Sequence, residues 1–165
     1  APTENIDVTA KQWAWVFLYP DQNVTSTELH LPVDRRIRLA LHSDDVLHGF
    51  YVPAFRLKQD IVPNRIIDFE FTPVRLGTYP LRDSLYSGTY FAANQANIVV
   101  QSPDDYQQWL ADAAAQNPSP AYNQADFEYT RGTKSGNIGG WKTIAPASPP
   151  VVNYSPKPKV DSPAA

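Results

Sequence analysis

From Glu4 to about Gln101 the chain repeats one device: a short stretch with an apolar residue at every second position, closed by proline, glycine or aspartate. Gln12-Trp13-Ala14-Trp15-Val16-Phe17-Leu18-Tyr19 puts four aromatics on its odd positions, hence on one face of a strand. Arg36–His42 sends Ile37, Leu39 and Leu41 inward and Arg38 and His42 outward, and Ile66–Phe71 sets Ile67, Phe69 and Phe71 against Asp68 and Glu70. Thr27–Leu31 opposes Leu29 and Leu31 to Glu28 and His30, while Gly77-Thr78-Tyr79 and Asn97–Gln101 complete the set. A period of two belongs to strands half covered by a core. About six to nine of them at this spacing predict an all-β chain, an antiparallel sandwich or barrel.

One helix breaks the pattern, over about residues 103–116. Ser102 is its cap, Pro103 suits the first turn, and Asp104 and Asp105 complement the positive end of the helix dipole. Tyr106, Trp109, Leu110 and Ala113 then form a stripe that docks on the sandwich. Residues 1–116 therefore form one domain with its helix. Residues 117–165 hold eight of the 16 prolines with Gly136, Gly139 and Gly140, which predicts an extended tail. Its Tyr122, Phe127, Tyr129, Trp141, Ile144 and Tyr154 are costly to leave in water, so the tail is expected to lie against the domain.

Composition excludes more than it proposes. The 165 residues carry a formal charge of −3, too small for a nucleic-acid surface, and no apolar run approaches the roughly 20 residues of a membrane helix. The absence of cysteine removes disulfides, thiolate nucleophiles, iron–sulfur clusters and cysteine-held zinc. With methionine absent as well, the blue-copper ligand set cannot be assembled. No signal peptide is present, and a chain without an initiator methionine is expected to be a processed or excised piece.

Of the side chains that could carry chemistry, His30 and His42 are expected on solvated strand faces, and His48 in a polar loop as a hydrogen-bonded histidine. A lone imidazole does not hold copper or zinc, which need three or four converging ligands. No Gly-x-Ser-x-Gly elbow supports a serine hydrolase. Asp44-Asp45 and Asp104-Asp105 read as a turn and a helix start rather than a glycosidase pair. Four rings in a row exceed one core layer, so Trp13 is expected to be exposed for a partner. That leaves a secreted module binding carbohydrate or protein as one reading.

Several segments together resemble the water-exposed cupredoxin domain of subunit II of haem–copper respiratory oxidases. They are the Gln12–Tyr19 aromatic strand, Asp45-Val46-Leu47-His48-Gly49-Phe50-Tyr51-Val52-Pro53, Leu57-Lys58-Gln59-Asp60-Ile61-Val62-Pro63-Asn64-Arg65, Gly77-Thr78-Tyr79 and the capped helix. The resemblance covers about residues 5–116 and implies a cupredoxin-like Greek-key β sandwich with one C-terminal docked helix. It also implies a binuclear copper A site, whose first histidine matches His48. Laid without gaps from Gly77, the family's ligand loop places Asp83 and Ser87 on the bridging cysteines and Leu85 on the glutamate that ligates through its carbonyl. Phe91 then falls on the second histidine and Asn94 on the methionine, so no metal is expected.

Tyr86-Ser87-Gly88-Thr89-Tyr90-Phe91 resembles the matching stretch of quinol oxidases, which lack that site. The combination resembles the copper-A-less alternative respiratory terminal oxidase described in cyanobacteria. The resemblance implies a non-redox accessory domain with no catalytic residue and no cofactor of its own. It would be anchored by a preceding membrane hairpin on the outer (periplasmic or lumenal) face, beside a subunit I holding haems and copper B, with quinol in the membrane as donor. Trp13, Asp44, Asp45 and Asp60 match the positions that dock a soluble carrier or another subunit. An electron-entry domain served by a soluble cytochrome or blue-copper protein is the alternative within this family.

Overall fold

The computed structural model describes residues 3–85, 95–134 and 145–156. Ten strands make a two-layer sandwich: β1 (Glu4–Lys11), β2 (Ala14–Tyr19), β3 (Val24–Ser26), β4 (Leu29–Pro32), β5 (Ile37–Ser43), β6 (His48–Val52), β7 (Leu57–Ile61), β8 (Ile67–Phe71), β9 (Gly77–Asp83) and β10 (Gln95–Gln101). One sheet runs β3-β2-β1-β5-β8 and the other β4-β10-β9-β6-β7. Each sheet contains one parallel pair, β1 with β5 and β4 with β10, where strand alternation alone predicts antiparallel neighbours. Parallel pairing needs a long crossover, and here the chain visits the opposite layer between the paired strands.

The alternating positions meet in one core. Ile37, Leu39 and Leu41 of β5 are fully buried, as are Val8 and Phe17 of the same sheet and Phe50, Leu81 and Ile98 of the facing one. Each such side chain contributes on the order of 1.5–3 kcal/mol by leaving water. Ile67, Phe69 and Phe71 lie half-buried on the edge strand β8 and pack against this core, with Asp68 and Glu70 outward.

Helix α1 (Pro103–Ala114) begins as expected, the Ser102 hydroxyl accepting the Asp105 N–H at 3.2 Å, and buries Tyr106, Leu110 and Ala113. Its Trp109 lies flat on His30, ring centroids 3.9 Å apart and planes 5° apart. His30 is therefore not solvated; it is 4% exposed, and its ring bonds Glu28 at 2.7 Å and Gln101 at 2.8 Å. The polar face of β4 is covered by a helix and a tail segment distant in sequence, which local alternation does not reveal. His42 remains partly exposed, between Thr9 and Asp44.

The tail is not wholly extended. It carries a second helix, α2 (Gln124–Lys134), and a short pair between β11 (Ser119–Pro120) and β12 (Val151–Val152). Asn123 caps α2 by accepting the Asp126 N–H at 2.9 Å, the local signal that the proline-rich composition obscured. Residues 151–155 lie along β3, and Asn153 and Tyr154 both donate from the backbone to the Thr25 carbonyl.

Candidate functional site

His48 opens β6 at the end of the sandwich where the β1–β2 hairpin turns, and Asp83 closes β9 beside it. The imidazole is fully buried, its side chain 0% exposed like that of Asp83. Nδ1 lies 2.5 Å from the Asp83 carboxylate and Nε2 2.8 Å from Asp45. A carboxylate accepts hydrogen bonds, so the arrangement favours the ring form that carries hydrogen on both nitrogens. Burial by itself pulls the His48 pKa down. The hydrogen bonds from Asp83 and Asp45, with their charges, outweigh it and leave the pKa above that of an ordinary histidine.

The surrounding backbone fixes both carboxylates. The second oxygen of Asp83 accepts the Gly49 N–H at 2.8 Å and the Leu85 N–H at 3.1 Å. Asp45 accepts the Gln12 N–H at 2.8 Å and its own neighbour Val46 at 2.6 Å, which ties the 44–47 loop to the hairpin. Ser43 braces that loop, its hydroxyl donating to the Val46 carbonyl and accepting the Asp45 N–H. Trp15 is tilted against the imidazole with centroids 6.4 Å apart, and Phe50 stands edge-on to Trp15 at 5.9 Å.

This donor set does not fit a copper pair. Both His48 nitrogens are already engaged by carboxylates, and the chain contains neither cysteine nor methionine. Among the described residues no three histidine, aspartate or glutamate side chains converge in a way that could hold a metal ion. Ser87, Phe91 and Asn94 lie outside the described residues.

The expected docking residues are dispersed by the fold. Trp13 is not exposed: it is buried to 1%, and its carbonyl accepts the side-chain amide of Asn123 from the tail at 3.2 Å. Asp45 faces His48, and exposed Asp44 pairs with His42 at 3.0 Å. Asp60, on β7 opposite Gly49, is exposed, and Lys58, Arg56, Arg65 and Arg82 are exposed as well, so no uniformly acidic face forms among the described residues. The bridge Asp83–His48–Asp45 joins residues read separately from the sequence, and the Glu28–His30–Gln101 network was not foreseen at all. Their only sequence signal is polar side chains at strand positions that turn out covered.

Residues 24–102 match the family described as cytochrome C oxidase subunit II, periplasmic domain. The chain is 40% identical over 109 residues to cytochrome c oxidase subunit 2 of Thermostichus vulcanus, covering 66% of this chain and 33% of that one. It is 25% identical over 124 residues to quinol oxidase subunit 2 of Bacillus spizizenii, covering 74% and 38%. The crystal structure of the periplasmic domain of subunit II of cytochrome oxidase of Bradyrhizobium japonicum superposes with a TM-score of 0.61 at 27% identity, over 65% of this chain and 90% of that one. The chain thus spans little more than a third of the length of the two curated relatives, 33% and 38%.

Proposed function

Because the chain belongs to the cytochrome c oxidase subunit II family through its periplasmic domain, we propose that it is the water-exposed subunit II domain of a membrane haem–copper terminal oxidase and carries no copper A centre. The observation that carries this reading is the engagement of both His48 nitrogens by Asp83 and Asp45. Two bridging thiolates hold a copper pair and delocalise its electron; a carboxylate already committed to the His48 ring does neither. The place between β6 and β9 that a metal would take is filled by the ring and its two carboxylate partners.

A domain without that centre has no carrier to relay an electron inward from water. Electrons would then reach the haems and copper B of subunit I from within the membrane, with quinol as donor. The similarity to a protein named quinol oxidase subunit 2 supports this. Its role would be to cover and stabilise subunit I on the outer face, and the membrane anchor would lie in sequence beyond this chain. Among the described residues no helix is long and apolar enough to cross a membrane. Oxygen uptake by the intact complex tests the assignment: quinol is expected to support it and reduced cytochrome c not. Uptake driven by cytochrome c through this subunit would overturn it.

A further inference from the structure

β3 is the outer strand of its sheet, and an outer strand presents unpaired N–H and C=O groups that invite a further chain. Residues 151–155 take that place. Asn153 and Tyr154 donate to the Thr25 carbonyl at 2.9 and 3.1 Å, and Thr27 donates back to the Tyr154 carbonyl at 3.2 Å, in parallel register with Ser26. The side chains are recognised too. The Asn153 amide oxygen accepts both the Thr25 N–H and its hydroxyl, and its NH2 donates to the Gln116 carbonyl at 3.0 Å. Tyr154 stands edge-on to His30 and Trp109, with centroids 5.6 and 5.5 Å away. Ser155 accepts from the Thr27 hydroxyl at 3.2 Å.

The slot is built by the domain, not by the tail. His30 is fixed by Glu28 and Gln101 and stacked on Trp109, so the surface that receives Tyr154 is held by contacts among β4, β10 and α1. We propose that β3 and the His30–Trp109 slot form a strand-addition site for an extended Asn-Tyr-Ser segment, and that residues 145–156 occupy it as an intramolecular ligand. Main-chain pairing supplies affinity in such sites and the alternate side-chain slots supply selectivity. Occupancy is linked to the buried tryptophan, because the same strap donates from Ala147 to the Gln12 carbonyl at 2.8 Å beside Trp13. The strap lies beyond residues 24–102, so the proposal does not depend on the oxidase assignment.

The test uses the full chain with Asn153→Ala and Tyr154→Ala together, and a labelled synthetic peptide of residues 145–156. The double variant is expected to bind the peptide one-to-one in fluorescence anisotropy. The unmodified chain, whose site is filled in cis at high effective concentration, is expected to bind it at least about tenfold more weakly. A peptide carrying the same two alanines is expected not to bind. Failure of the folded double variant to bind the native peptide would overturn the proposal, as would equal binding of the alanine peptide. Should the double variant not fold, Tyr154→Ala alone decides. Hydrogen exchange at the Thr27 amide is then expected to quicken by at least about tenfold, and unchanged exchange would overturn the proposal.

Discussion

His48 and Asp83, on neighbouring strands β6 and β9, meet at 2.5 Å with neither side chain reached by water. Two buried polar groups at that distance fix each other, since either alone would bear the cost of a buried group without its partner. Asp45 closes the other side of the ring at 2.8 Å, so the bridge spans three segments of the chain.

Stability is expected to fall as pH rises past the ordinary histidine value of about 6.5. The folded-state pKa of His48 is raised, with burial opposing and the hydrogen bonds to Asp83 and Asp45 prevailing. A raised pKa contributes stability that is complete below the unfolded value, about 6.5, and is lost as pH climbs through the folded value. Urea unfolding measured from mildly acid to alkaline pH should show this decline, and His48→Gln should flatten it. An unchanged slope in the variant would place the titration elsewhere.

Asp83→Ala is expected to destabilise the domain by about 3–5 kcal/mol, since it breaks a fully buried His–Asp pair by removing one partner. His48→Leu in the same chain should recover a large part of that loss, because replacing a whole buried ion pair by apolar bulk is far less costly than halving it. A double-mutant cycle from urea midpoints measures the coupling. Strictly additive losses would mean that the two groups do not act as a pair.

How much of this the sequence disclosed depended on distance along the chain. Ile37, Leu39 and Leu41 point inward as their alternation says, and Ser102 caps its helix, because a strand face and a cap are decided by immediate neighbours. His30 occupies an equally regular outward position and is buried, because Trp109 and Tyr154 arrive from α1 and the tail to cover it. Trp13 is buried as well, and Asn123 reaches its carbonyl from a segment whose prolines suggested an extended tail. In the site, resemblance placed His48 and Asp83 at matching ligand positions. Their direct bond, across 35 positions, is a tertiary fact that spacing does not encode.

Gly49 tests how closely β6 and β9 must approach. A Cβ built there lies 1.8 Å from the Ser84 hydroxyl and 3.1 and 3.2 Å from the Ser84 Cβ and N, while Ser84 N–H donates to the Gly49 carbonyl at 3.0 Å. Gly49→Ala therefore pushes the strands apart at the residue whose N–H holds Asp83. A loss of about 1–3 kcal/mol is expected, the usual cost of overpacking. Ser84→Gly added to Gly49→Ala should restore much of it in thermal unfolding, and no restoration would mean that the clash lies with another group.

Copper titration tests the proposed absence of a copper A centre directly. To bind the ion, His48 must give up a proton and its bond to Asp83 or Asp45, leaving a buried carboxylate unpaired. The oxygen donors offered in return are hard, whereas a mixed-valence copper pair is held by bridging sulfur, and the chain has none. Adding Cu(II) and Cu(I) to the purified chain is therefore expected to give no purple, stoichiometric binuclear spectrum. Lowering the pH should weaken any residual binding, because protons compete for the imidazole. Two coppers per chain with that spectrum would show that the bridge opens more easily than its burial implies, and would restore an electron-entry role to the domain.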